Sequence, residues 1–180
     1  MRYILASASP RRKELLSLVV NDFEIVPSEI PEIVPDDLEV EKHSEYLARL
    51  KANDIAKDYK DAIVIGADTS VIYGGEILGK PCDREDAKRM LRFLSGNTHK
   101  VITGCAVVEN GVCNSFSVTT EVEFFELTDK EIEDYLDTSE PYDKAGSYGI
   151  QGFGGLFVKA IKGDYFNVVG LPVAHLKRFL

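Results

Sequence analysis

The stretch from 62 to 73, Ala-Ile-Val-Ile-Gly-Ala-Asp-Thr-Ser-Val-Ile-Tyr, constrains the fold more than any other part of the chain. A nearly continuous apolar run of this length is expected of a strand covered on both faces. Such a strand needs neighbours on either side and helices above and below it. Gly74-Gly75 follow directly and should reverse the chain into a partner strand ending at Gly79-Lys80-Pro81. Asp68 lies inside the run, and burying its carboxylate is costly unless it is partnered or binds a cation.

The flanking sequence supplies those neighbours. Residues 2–7 read as a short buried strand, and Ser9-Pro10 mark a helix start, as N-cap and first helical residue. Residues 23–27 read as a second strand, followed by an acidic, proline-punctuated loop with Glu29 and Glu32. Residues 40–58 have helical spacing, with Tyr46, Leu47, Leu50 and Ile55 on or near one stripe. A helix over 83–94 is capped by Asp83, and long strands at 99–109 and 112–126 meet at Asn110-Gly111, a hairpin signal. Thr128-Asp129-Lys130-Glu131 matches a capping box for a helix to about Asp137, and a last helix should start near Leu171-Pro172. The pattern predicts an α/β fold with a mixed twisted sheet and flanking helices, one domain over 1–180, with no repeat and no linker.

Composition narrows the function. With 44% apolar and 28% charged residues, the chain is neither disordered nor collagen-like nor a disulfide-stapled miniprotein. Twenty-one Lys and Arg against 30 Asp and Glu leave a net charge of -9, which argues against nucleic acid as a partner. Phosphate chemistry would then need a local basic pocket. Cys82, Cys105 and Cys113 form no C-x-x-C and read as reduced thiols, and His43, His99 and His175 are too dispersed for a zinc site. No apolar run approaches membrane-spanning length, so the expected setting is cytoplasmic, with no membrane partner.

Three clusters carry chemistry. In the first, Arg11, Arg12 and Lys13 occupy the first turn of a helix, where the dipole disfavours cations. An anion held between them and the backbone, with Ser7 and Ser9 as extra donors, would account for the placement; a solvated turn is the plainer alternative. The second is Gly66-Ala67-Asp68-Thr69 with Lys80. A three-residue bulged loop at 73–75 would set Asp68 opposite Lys80, whereas a two-residue Gly74-Gly75 turn would set Thr69 there. Either a water-activating carboxylate beside a phosphate-binding lysine or a structural ion pair fits this spacing. The third lies between Glu140 and Gly170, which holds seven of the 14 glycines together with Asp143, Lys144, Tyr148 and Gln151. Taken alone it reads as a mobile loop, although the Gln151 amide could read a base edge.

In this order the clusters closely resemble the Maf (septum formation) family of nucleoside triphosphate pyrophosphatases. The matching segments are Leu5 to Leu16, Gly66 to Thr69, Ile77 to Pro81, Leu94-Ser95-Gly96, His99, Val101 to Gly104, Asp143 to Gly152 and Asn167 to Pro172. The resemblance implies two lobes around a deep cleft, similar to the inosine triphosphate pyrophosphatases. It also implies hydrolysis of a nucleoside triphosphate to monophosphate and pyrophosphate with a divalent cation, Mg2+ or Mn2+. Carried onto this chain, Asp68 is the proton acceptor, joined by Glu32 in the acidic, metal-binding part of the site. Ser7, Arg12, Lys51 and Lys80 would hold phosphates. Arg11, Thr69 and Gln151 match positions linked to substrate choice in the branch acting on dTTP and UTP, a second branch preferring 7-methyl-GTP. The acidic loop departs from the family pattern: Pro31 precedes Glu32, and Glu29 replaces the more usual Asp-Glu pair. A homodimer is also implied. The competing readings are a 7-methyl-GTP pyrophosphatase and a non-catalytic nucleotide-binding regulator of cell division.

Overall fold

The apolar run forms strand β3 (Ala62–Tyr73), in which Val64, Ile65 and Ala67 have no solvent exposure. The computed structural model describes residues 1–180 and organises them around a seven-stranded mixed sheet. The other strands are β1 (Arg2–Leu5), β2 (Glu24–Ile25), β4 (Glu76–Leu78), β5 (Thr98–Glu109), β6 (Val112–Phe124) and β7 (Val158–Lys162). Their order is β2-β1-β3-β5-β6-β7, with β4 on β3. β1 pairs in parallel with β2 and β3, whereas β4 and β7 pair antiparallel with β3 and β6. The helices are α1 (Pro10–Leu16), α2 (His43–Ala56), α3 (Arg84–Leu94), α4 (Asp129–Leu136), α5 (Tyr165–Val169) and α6 (Val173–Leu176). The expected α/β class with a mixed sheet is what forms.

Turn chemistry sets the registers. Gly74 and Gly75 have φ of 61° and 79°, and Asn110 and Gly111 have 51° and 79°, the paired positive values of tight two-residue hairpins. Tyr73 pairs with Glu76 and Val71 with Leu78, so the first hairpin is the two-residue form. That excludes the bulged register with Asp68 opposite Lys80. The ladder stops at Leu78, so Lys80 lies beyond its last pair.

The chain divides into two compact units. One comprises Met1–Thr69, Ile102–Val118 and Phe166–Leu180; the other comprises Ser70–Val101 and Thr119–Tyr165. In the first unit α2 packs on β1, β3 and β5 through small residues, Ala48 and Ala52 meeting Ile4, Ala6, Val64 and Ala106. A Cβ at Gly66 would lie 2.4 Å from the Ala48 carbonyl oxygen, and one at Gly104 would lie 2.3 Å from the Glu45 backbone. Glycine at both positions is what lets the helix approach the sheet this closely. Ser44 Oγ also donates to the Ile102 carbonyl at 3.0 Å, tying the start of α2 to β5. The buried face therefore runs through Ser44, Leu47, Ala48, Ala52 and Ile55, and the expected stripe is wrong at Tyr46 and Leu50, which are only partly buried.

In the second unit α3 and α4 bury Met90, Leu91, Leu94, Ile132 and Leu136. Asp83 accepts from the Asp86 N–H, and Thr128 with Glu131 forms the expected capping box. The segment after 140 departs from its reading as a loop. It carries three 3-10 turns, at Glu140–Asp143, Ala145–Ser147 and Phe153–Phe157, and the edge strand β7. The Glu140 carboxylate organises this stretch, accepting from the Tyr135 hydroxyl at 2.9 Å and from the N–H groups of Phe153 and Gly154 at 2.9 and 3.0 Å. The last helix starts at Val173, just after Leu171-Pro172 as expected, but it ends at Leu176 and not at the C-terminus; a separate short helix, α5, precedes it. No helix is long and apolar enough to cross a membrane.

Candidate active site

The strand β1 delivers Ser7 just past its end, and the tight seat of α2 delivers Lys51 beside Asp68 of β3. Two linked groups result, both inside the first unit.

The first is built on Arg12. Ser9 caps α1, its Oγ accepting from the Arg12 N–H, so the arginine side chain leaves the helix at its first turn. Its guanidinium donates from Nε to the Gly170 carbonyl at 2.9 Å, from Nη1 to Ser7 Oγ at 3.1 Å and from Nη2 to Thr69 Oγ1 at 3.1 Å. All three acceptors are neutral. Arginine has five N–H groups, so one remains on each terminal nitrogen for a ligand. Ser7 Oγ also accepts from the Ser9 N–H at 3.3 Å, which leaves its own proton to donate. Burial works against the charged form of Arg12, and the nearby Asp68 charge opposes that effect without cancelling it. A partly buried cation fixed by neutral oxygens is arranged to meet an anion that the protein does not itself provide.

The second is built on Asp68. Its Oδ1 accepts from Lys51 Nζ at 2.7 Å, and the same Nζ lies 2.7 Å from Glu32 Oε1. Burial raises the Asp68 pKa above the ordinary carboxylate range; Lys51 and Arg12 pull it back only in part. The Asp68 side chain keeps 14% exposure, enough for water to reach it, while Glu32 is 55% exposed. The partner of Asp68 is thus Lys51 and not Lys80. Sequence spacing points towards Lys80 because it follows the adjoining strand by two residues, whereas Lys51 arrives from a helix seated by Gly66 and Gly104.

The donor set suits a divalent cation. Asp68 and Glu32 already converge on one positive nitrogen, and no third His, Cys, Asp or Glu completes a cage. One or two carboxylates with the remaining positions left to phosphate oxygens and water is how magnesium is usually held.

Of the residues expected at the site, the structure brings together Ser7, Arg12, Lys51, Asp68, Thr69 and Glu32. Arg11 lies in the first turn of α1, partly buried, and Lys13 is exposed. Lys80 and Gln151 are exposed residues of the other unit. Three participants had no expected role: Thr103, Asn167 and Gly170. Thr103 Oγ1 lies 2.9 Å from Thr69 Oγ1, and Thr103 and Asn167 are fully buried. Their signal is weak, a threonine in a strand and an asparagine in the middle of a five-residue helix. Cys105 is no nucleophile, because burial pushes its thiol up to about 12.

A family profile described as "Maf-like protein" matches residues 2–180. A protein named dTTP/UTP pyrophosphatase from Halalkalibacterium halodurans is 49% identical over 177 residues, covering 98% of this chain and 93% of its own length. One of the same name from Bacillus cereus (strain ATCC 14579) is 50% identical over 184 residues, covering 99% and 94%. Among solved structures, a HAM1 protein from Coxiella burnetii is 17% identical and aligns with 69% of this chain and 73% of its own, with a TM-score of 0.48.

Proposed function

The chain belongs to the Maf family, and on that premise we propose that it hydrolyses dTTP and UTP to the nucleoside monophosphate and pyrophosphate. The observation that carries the reading is the partly buried Arg12 guanidinium, held by three neutral oxygens beside an Asp68 whose pKa burial has raised. The relatives named dTTP/UTP pyrophosphatase supply the substrate class.

The free N–H groups of Arg12 and the Ser7 hydroxyl take phosphate oxygens, and Arg12 offsets charge on the departing pyrophosphate. Lys51 holds Asp68 Oδ1, which leaves Oδ2 to accept a proton from water. The water oxygen bonds to the α-phosphorus, the bond from that phosphorus to the bridging oxygen breaks, and pyrophosphate leaves. A carboxylate with a raised pKa is a stronger base than an ordinary one, as this step requires. Asp68 and Glu32 would hold the divalent cation, Mg2+ or Mn2+, which neutralises phosphate charge when bound. The roles of Lys80 in phosphate binding and of Arg11, Thr69 and Gln151 in substrate choice come with the resemblance, as does a homodimer, whereas a cytoplasmic setting is the reading of the three unpaired cysteines. For the dimer, light scattering should give twice the 20.0 kDa chain mass.

The test is pyrophosphate release from a panel of nucleoside triphosphates with Mg2+ or Mn2+, wild type beside Asp68→Asn. Selective cleavage of dTTP and UTP is expected, lost by about 10²–10⁴-fold in the variant. Cleavage of 7-methyl-GTP instead would overturn the substrate assignment. Binding without release would make the protein a nucleotide sensor.

A further inference from the structure

Arg12 can act on a phosphate only if its guanidinium points one way, and the residues that fix it lie behind it. Thr103 Oγ1 donates to the main-chain carbonyl of Asn167 at 2.9 Å. A hydroxyl has one proton, so that proton is spent. In the 2.9 Å contact between Thr69 Oγ1 and Thr103 Oγ1 the donor must therefore be Thr69. Thr69 then has only lone pairs to offer, and one of them receives the Nη2 proton of Arg12. The result is a one-directional chain from Arg12 through Thr69 and Thr103 to the Asn167 carbonyl. Hydrogen bonds ordered in series polarise one another in the same sense.

The far end of the chain is anchored twice. The Thr103 N–H donates to Asn167 Oδ1 at 3.1 Å, which also fixes which way round the side-chain amide sits, since an N–H needs an acceptor. Asn167 belongs to α5, whose end places the Gly170 carbonyl on Arg12 Nε. Gly170 N–H and Leu171 N–H both bond to the Phe166 carbonyl at 3.0 Å, closing the helix there. One buried pair, Thr103 and Asn167, thereby governs two of the three hydrogen bonds that orient Arg12, one through Thr69 and one through Gly170.

We propose that Thr103 and Asn167 are positioning residues for this reaction, acting on the triphosphate only through the orientation of Arg12. The proposal rests on the reading of Arg12 as a phosphate ligand. Removing the Thr103 hydroxyl takes this donor from the Asn167 carbonyl and leaves the Thr69 proton without its acceptor. Thr69 then turns to find another, and its lone pair leaves Arg12.

The experiment is a double-mutant cycle on pyrophosphate release from dTTP, with the thermal midpoint of each variant measured alongside. Thr103→Val, which keeps the shape and removes the hydroxyl, should lower kcat/KM by roughly tenfold. Thr103→Ser should restore it to within about twofold, because the hydroxyl and not the methyl is required. In an Arg12→Ala background Thr103→Val should change nothing further, since its effect runs through the missing guanidinium. Thr103→Cys, similar in size but a weak acceptor, should fall between valine and serine and serves as the reporter if the valine variant does not fold. Equal losses from Thr103→Val with and without Arg12 would overturn the proposal and mark Thr103 as a packing residue. So would a cysteine or valine variant with wild-type activity. Wild-type turnover in Arg12→Ala alone would overturn the phosphate reading of Arg12 beneath it, an outcome the cycle separates from the others.

Discussion

Each compact unit holds a polar cluster, and the two are built on opposite electrostatic plans. In the first unit, Arg12 and Lys51 stand against Asp68 and Glu32, and Arg12 has only neutral oxygens in contact. In the second unit, His99 is 1% exposed, its Nε2 lying 2.7 Å from the hydroxyl of the buried Tyr148. Edge-on rings of Phe124 and Tyr148 pack against it, with centroids 5.0 and 5.4 Å away, and its Nδ1 has no partner. Burial pushes the imidazole down to about 4, so it is neutral at ordinary pH. A protein that neutralises one buried polar group and keeps the others charged is using them differently. Buried charge gains less stability than a well-packed apolar replacement would, so its retention at Arg12 and Asp68 points to a ligand. The neutral cluster needs only packing to explain it.

The comparison is broken or sharpened first at Asp68, where the largest effect is expected. Asp68→Asn should lower turnover by about 10²–10⁴-fold. Because burial raises the Asp68 pKa, the ionised side chain is a net cost to the folded state, and the neutral amide should leave the thermal midpoint unchanged or higher. A midpoint well below wild type would show that the Lys51 ion pair is structural and would erase the contrast. His99→Ala should do the reverse. It opens a cavity beside Phe124 and strands the Tyr148 hydroxyl, a loss of about 2–4 kcal/mol in denaturant unfolding, with kcat/KM for dTTP unchanged. Lost activity at wild-type stability would move His99 into the chemistry.

Acidification tests the same cluster without a substitution. The folded-state pKa of His99 lies below its unfolded value, so between the two the unfolded chain binds more protons. The stability from His99 is present above about pH 6.5 and is lost as pH falls towards the folded pKa, about 2 kcal/mol of it by pH 5. Urea midpoints compared between wild type and His99→Phe should diverge over that window, the phenylalanine variant showing the flatter profile. Parallel profiles would mean that the imidazole is hydrated in the folded state.

Much of this contrast can be read along the chain, and the part that cannot has a physical reason. Ser9, Asp83 and the Thr128–Glu131 box show themselves because caps are local, as do the two hairpins with their paired positive φ residues. The strand at 62–73 and the carboxylate inside it are equally plain. What stays hidden is who meets that carboxylate. Lys51 is 17 residues away on α2, and its arrival depends on Gly66 and Gly104 admitting the helix. Those are absences of side chains, which no periodicity registers. The same is true of Tyr46 and Leu50, larger and more apolar than Ala48 and Ala52 yet less buried, because a close helix–sheet contact selects for small residues. The chain from Arg12 to Asn167 is harder still, since it joins four separate segments through hydroxyls and main-chain carbonyls that carry no compositional mark.

Gly170 is where the division between an active cluster and a stabilising one should fail, and it carries the smallest predicted effect. Its φ of +128° is a conformation that L side chains rarely adopt. A Cβ there would meet Thr69 Oγ1 and Arg12 Nε only at 3.7 and 3.8 Å, so space is not the obstacle and the backbone is. Gly170→Ala should therefore cost about 1–2 kcal/mol in unfolding free energy. Relief of that strain would rotate the peptide whose carbonyl accepts from Arg12 Nε, so kcat/KM should fall a few-fold in the same variant. Stability and activity lost together would show that the closure of α5 serves both. A lower midpoint with unchanged kcat/KM would mean that Ser7 and Thr69 alone suffice to aim the guanidinium.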